Sequence, residues 1–175
     1  MFNIIVAMCK KNRGIGINNK IPFYIPNDLK RFKSLTIGDG NNSIIMGANT
    51  WLNSPFSHRP LEKSENIVLT RKENKFNLCE KIYLLNNVES LKKFCKGKKY
   101  SENWIIGGEE TFKSALNLGI VKKIYITEID KEYECDIFFP EIDYSYFELN
   151  SSIKDEYNGI KITYKIFAKK LKKII

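Results

Sequence analysis

The chain has 175 residues, 43% hydrophobic and 28% charged, which suits a single globular domain with a buried core and excludes a disordered tail or a repeat array. Lys and Arg number 29 against 20 Asp and Glu, a net charge of +9, but only Arg13, Arg31, Arg59 and Arg71 are arginines. The excess is lysine in an Ile- and Asn-rich chain, as an AT-rich coding sequence produces, so no nucleic-acid surface is expected.

The predicted elements begin with an apolar, β-branched run at Phe2–Met8, which leaves no room for a signal peptide. Further runs follow at Ser43–Gly47, Glu65–Thr70, Lys81–Leu85, Asn103–Gly107, Val121–Asp130 and Ile160–Ala168, each read as a strand. Helical spacing appears between several of them, at Asn27–Leu35, Asn49–Asn53, Val88–Cys95 and Glu109–Leu118. Strands alternating with helices imply right-handed crossovers and a mostly parallel sheet with helices on both faces, the α/β class. No helix pattern returns after Val121–Asp130, so the last strands are expected to form an antiparallel edge. The terminal Ala168–Ile175 reads either as an amphipathic tail or as a final strand running into a solvated end. No linker divides the chain, and one domain over residues 1–175 is expected. Cys9, Cys79, Cys95 and Cys135 lack C-x-x-C spacing and His58 is the only histidine, so no metal site is expected. No apolar run approaches the roughly 18 residues of a membrane span, and a cytoplasmic protein with reduced thiols is the expectation.

Three segments carry chemistry. In Ile21–Phe32 two prolines extend the approach to a helix that starts just after Pro26, with Asp28 in its first turn. An acid there complements the helix dipole in most proteins. Here Leu29 and Phe32 flank it on the same face, which sets the carboxylate against an apolar wall where desolvation raises its proton affinity. The segments Ser43–Trp51 and Trp104–Phe112 each run strand, glycine, helix start. Free N–H groups at such a start attract an anion, and Gly47 lets a phosphate come close. Two such junctions suit a dinucleotide at the carboxyl edge of a sheet, although G-x-G-x-x-G is absent.

Together with Ile4–Met8, Asn12–Gly16, Arg59-Pro60-Leu61, Asn66–Thr70, Tyr125–Asp130 and Asp136–Pro140, these segments resemble the dihydrofolate reductase family in order and spacing over nearly the whole chain. The resemblance implies a mostly parallel eight-stranded sheet with four flanking helices and an antiparallel C-terminal edge. It implies a monomer that reduces 7,8-dihydrofolate to tetrahydrofolate with NADPH. On it, Asp28 is the acid of the pterin pocket, bonded to the 2-amino group and N3 and needed to bring a proton to N5, and Thr127 bonds that carboxylate from the opposite strand. Val6, Ala7, Phe23, Leu29, Phe32, Leu61 and Ile106 would line the substrate side. Ala7, Ile15 and Gly16 would meet the nicotinamide, and Asn18–Ile25 would close over it. Gly47, Ala48, Asn49 and Thr50 at one junction, and Gly107, Gly108, Glu109, Glu110 and Thr111 at the other, would hold the pyrophosphate across a cis Gly107–Gly108 peptide, with Phe112 beside the nicotinamide. Thr70 and Arg71 would grip the adenosine 2′-phosphate and select NADPH over NADH.

The chain departs from the family at four positions. Phe23 stands for a Trp whose indole N–H holds a water near the pterin, Ser64 for an Arg that grips the folate glutamate, Phe112 for a Tyr, and Ala48 for a basic residue. Two alternatives follow: a reductase of a pteridine or related heterocycle without the glutamate tail, or a non-enzymatic binding protein on the same fold.

Overall fold

Strand β1 (Phe2–Cys9) is buried along almost its whole length, as befits a strand covered on both faces, and pairs in parallel with β6 (Asn103–Gly107) and β7 (Val121–Ile129). The computed structural model describes residues 1–53, 60–72 and 82–171; His58, Arg59, Cys79, Lys81 and residues 172–175 of the terminal stretch lie outside them. Around β1 the chain adds β2 (Gly14–Gly16), α1 (Pro26–Ile37), β3 (Asn42–Gly47), α2 (Ala48–Asn53), β4 (Ser64–Leu69), β5 (Ile82–Leu85), α3 (Val88–Lys98) and α4 (Glu109–Asn117), and closes with β8 (Ile137–Phe138), β9 (Phe147–Tyr157) and β10 (Ile160–Lys169). The main sheet has eight strands in the order β5-β4-β3-β6-β1-β7-β10-β9, and β2 pairs with β8 in a separate two-stranded sheet. Strands β5 through β7 in that order are parallel, and β10 runs antiparallel to β7 and β9. The mostly parallel sheet with an antiparallel C-terminal edge is therefore as the sequence implies.

Strand alternation divides the core between the two faces. Ile4, Ile45, Ile67, Ile105 and Ile124 pack with Leu91 of α3 and Phe112 and Ala115 of α4. The neighbouring residues Ile44, Met46 and Val68 point the other way and meet Trp51 of α2. On that second face Ile25, just ahead of α1, packs with Ile129 and Ile162. Helix α1 starts with Pro26 in its first turn, where a missing N–H removes no helical bond, and stops at Gly38, whose φ of 53° suits glycine and whose N–H bonds Ser34 O. Asn87 caps α3, its side chain accepting from Ser90 N.

The run reading contains no strand at β2, β8 or β9. The first two have three and two residues, too few for a period to show. Strand β9 is eleven residues long but is the open edge of the sheet; only Phe147 in it is buried, and its apolar residues Leu149 and Ile153 are exposed, so no buried run marks it. At the end of the chain β10 runs on through Lys169; Lys169 Nζ bonds Gly119 O at 2.8 Å and Lys170 Nζ bonds Tyr144 O at 2.9 Å. As far as Lys170, then, the terminal stretch is a final strand stapled to its neighbours.

Candidate active site

Parallel strands that all end on one side bring their carboxyl ends to one edge, and the candidate residues collect there. Asp28 in the first turn of α1 faces Thr127 of β7, whose Oγ1 donates to Asp28 Oδ1 at 2.5 Å across a separation of 99 residues. Thr127 is 1% exposed and Asp28 half-buried, so little water competes for that bond. Burial pushes the Asp28 carboxyl above its usual range, while the Thr127 hydrogen bond and the Arg31 charge act in the opposite direction. The folded state therefore binds this proton more tightly than the unfolded chain does. Its contribution to stability is full below the ordinary carboxyl pKa and is lost as pH rises through the raised value. Asp28→Asn, which keeps an oxygen for Thr127, should accordingly raise Tm at pH 7, and the gain should fade on acidification towards the ordinary carboxyl range; thermal melts over that range check it.

Apolar side chains gather in two clusters on the sheet face that α1 and α2 cover. Ala7 and Phe23 belong to the cluster of Ile25, Ile129 and Ile162, and the Phe23 ring meets Tyr133 edge-on at 5.8 Å. Leu61, Ala48 and Ile106 pack onto the Trp51 cluster, and the Asn66 side chain clasps Leu61 by both its N–H and its carbonyl at 3.0 Å. Leu29 and Phe32 are half-buried on α1. Alternation along β1 sends the Val6 side chain to the face of α3 and α4, and the side chain this strand places on the Asp28 face is Ala7.

The two glycine junctions meet each other. The Gly107–Gly108 peptide is cis and Gly107 has φ 148°. A Cβ on either glycine would lie 3.2 Å from Thr50 Oγ1, and one on Gly47 would lie 3.1 Å from Thr111 Oγ1. Gly47, Thr50, Gly107, Gly108 and Thr111 thus form one cradle that a single methyl group would crowd, beside Ala48 and the exposed Asn49. Glu109 Oε2 accepts from Phe138 N at 3.4 Å, engaging that carboxylate with β8, and Glu110 is exposed. Phe112 lies in the core of the other face. It is 1% exposed and packs edge-on against Phe139 at 5.1 Å, so it supports the site from within the core and offers almost no surface to a ligand.

Ile15 packs on the core from β2, while Gly16 is buried and its carbonyl accepts from Asp136 N at 3.0 Å. The following turn is pinned by mutual Ile17–Lys20 backbone bonds of 2.9 Å and by Asn18 N donating to Asp136 Oδ2 at 3.0 Å. At the far end, Thr70 spends its hydroxyl on the 70–72 turn, accepting from Lys72 N at 3.0 Å, and Arg71 stands exposed beyond β4. Ser64 is buried at the start of β4 and bonds Thr36 O at 3.4 Å. The run reading missed the groups beside Asp28, namely Arg31, Tyr125 and Tyr164; the only signal for them is Arg31 three residues along α1.

Fold and site define an α/β protein in which a half-buried carboxylate and a glycine cradle share the carboxyl edge of one sheet. The dihydrofolate reductase family model matches residues 1–169. A dihydrofolate reductase of Drosophila melanogaster is 36% identical, covering 96% of this chain and 97% of its own length, and one of Aedes albopictus is 37% identical over the same shares. A bifunctional dihydrofolate reductase-thymidylate synthase of Daucus carota is 34% identical over 82% of this chain and 29% of its own. The chain belongs to the dihydrofolate reductase family, and with that membership the non-enzymatic reading falls away. Among the described residues no helix is long and apolar enough to cross a membrane.

Proposed function

We propose that the chain reduces 7,8-dihydrofolate to 5,6,7,8-tetrahydrofolate with NADPH. The observation that carries this reading is the Thr127–Asp28 hydrogen bond at 2.5 Å, which fixes a half-buried carboxylate in the first turn of α1. A carboxylate has two acceptor oxygens, which match the paired N–H donors of a pterin at its 2-amino group and N3. Burial then gives Asp28 a proton affinity suited to holding the proton that N5 takes up. Phe23, Leu29, Phe32, Leu61 and Ile106 supply an apolar slot that orients a flat ring and excludes water.

The cradle fits a dinucleotide pyrophosphate, because three glycines leave room for close approach and α4 begins there with its unpaired N–H groups. Gly47, Thr50, Gly107, Gly108 and Thr111 would hold the pyrophosphate, Ala7, Ile15 and Gly16 the nicotinamide end, and Arg71 the 2′-phosphate. When bound, NADPH supplies a hydride to pterin C6. The closed turn over residues 17–20, tied to Asp136, would shield that side from water.

Phe23→Trp should raise turnover of dihydrofolate, since an indole N–H would supply the donor that the Phe23 ring lacks. The larger ring has to displace Tyr133 from its edge contact, and overpacking there costs about 1–3 kcal/mol of stability. Steady-state rates measured beside a thermal melt separate the two effects. A well-folded Trp variant with unchanged or lower turnover would count against dihydrofolate as substrate.

One observation favours a second reading, a substrate without the glutamate tail. Ser64 is neutral, buried and turned to Thr36 O, so no cation stands at that position. NADPH consumption with dihydrofolate and with a tail-less dihydropterin decides between them. A kcat/KM ratio in favour of dihydrofolate supports the first reading, and a ratio near one or below supports the second.

A further inference from the structure

Three residues beyond Asp28, and so beside it on the helix surface, the Arg31 guanidinium lies 4.9 Å from the centroid of the Tyr164 ring and 5.8 Å from that of Tyr125. Tyr164 is the cross-strand partner of Thr127, the residue that holds Asp28. Its hydroxyl donates to Asp155 Oδ2 at 3.0 Å, and the same oxygen accepts from Asn27 Nδ2 at 3.2 Å. Asn27, Arg31, Tyr164 and Asp155 therefore clamp α1 to β10 and β9 at the turn that carries the pocket carboxylate. Within the clamp Arg31 Nη1 is buried without a hydrogen-bond partner among the described residues, a rare state for so strong a donor.

Asp28 is the only carboxylate of α1. The other titratable groups facing the pair are the phenols Tyr125 of β7 and Tyr164 of β10, with Asp155 of β9 beyond Tyr164. Glu102, near Tyr125, pairs with Lys122 at 2.8 Å, and the next residues along β7 and β10, Glu128 and Lys165, pair with each other at 2.7 Å. Burial pushes the Tyr164 phenol up to about 12 and the Tyr125 phenol upward as well, so both remain neutral at physiological pH. A guanidinium keeps its proton throughout. Arg31 is thus a fixed positive charge with two neutral rings about it and one carboxylate a helical turn away.

We propose that Arg31 is a positioning residue of the reaction, a cation that two tyrosines hold one helical turn from Asp28, beside the Thr127 strand pair, and that acts through that carboxylate. This rests on Asp28 being the proton-linked group of the site. Arg31 also borders a recess of about 330 Å³ with Ser34, Ile153 and Tyr164, where a lysine ammonium can be hydrated, so Arg31→Lys keeps the positive charge while giving up the planar contact with the two rings.

The test compares the full-length wild type with Arg31→Met, Arg31→Gln and Arg31→Lys. The first measurement is the titration of the Asp28 carboxyl carbon by carbon-13 NMR, which needs no turnover; the second is kcat/KM for dihydrofolate against pH. Both neutral variants should tighten proton binding at Asp28 by about tenfold and move the pH midpoint of kcat/KM upward with it, while Arg31→Lys stays near wild type. In an Asp28→Asn background, Arg31→Met should leave the pH profile where it was. Gln keeps a polar head in the clamp and stands in should the Met variant fail to fold. If Arg31 only packs, the variants change Tm and move neither midpoint; that result, or equal shifts from Lys and Met, overturns the proposal. A wild type that does not turn over dihydrofolate, with an Asp28 titration that still responds to Arg31, would overturn the proposed reaction and support the linkage.

Discussion

Asp28→Asn should lower dihydrofolate turnover at neutral pH by about 10²–10⁴-fold, the usual contribution of a positioned acid–base group. The amide is nearly isosteric and keeps an acceptor for Thr127 Oγ1, so fold and cavity shape survive. On the proposed reaction, what goes is the negative charge that would pair with the pterin donors and the group whose proton would exchange with solvent near N5. The glycine cradle lies on other elements, β3, α2, β6 and α4, so NADPH affinity should stay close to wild type. The deficit should shrink as pH falls, because dihydrofolate is then protonated directly from water. Rates across the pH range, with NADPH affinity determined separately, check both parts. An Asn variant at the parental rate at pH 7 would remove Asp28 from the mechanism.

Arg71→Ala should weaken NADPH by roughly ten- to a hundredfold and NADH far less. A charge-assisted hydrogen bond contributes about 1.5–3 kcal/mol, and only NADPH carries the phosphate that would receive it. Thr70 cannot substitute fully, because its hydroxyl closes the turn to Lys72. The Thr70 N–H bond to Leu85 O at 2.9 Å extends the pairing of β4 with β5 and fixes where Arg71 leaves the sheet, so the substitution alters a surface charge and little else. Fluorescence titration with each cofactor gives the two affinities. Equal losses for both would make Arg71 an ordinary exposed strand-end charge.

What the residues announced by themselves depended on how much surface each buries. Covered strands such as β1, β3 and β6 show as apolar runs, and α4 shows by the spacing of Phe112 and Ala115. Strand β9 has an open edge and an exposed face, so nothing forces apolar residues into it. Within the site, Asp28 was legible because Leu29 and Phe32 stand beside it on a helix begun by Pro26. Its bond to Thr127 was not, since no local pattern links residues 99 apart, and only the family resemblance supplied it. For Val6 and Phe112, which face of β1 a side chain takes, and how far a ring reaches towards the surface of the core, are fixed by packing and carry no local sequence signal. The Arg31 clamp lies further out of reach, because it needs the register that sets Tyr164 opposite Thr127.

The most direct test of the proposed reaction follows a labelled hydride. Purified wild-type protein would be given dihydrofolate and NADPH carrying deuterium at the transferable C4 position, and the product analysed by mass and by NMR. Hydride transfer in this pocket predicts tetrahydrofolate with a single deuterium at C6, formed in step with NADPH consumed and nearly absent with Asp28→Asn at pH 7. NADPH oxidation that leaves no deuterium in the pterin, or no consumption of either compound, would contradict it.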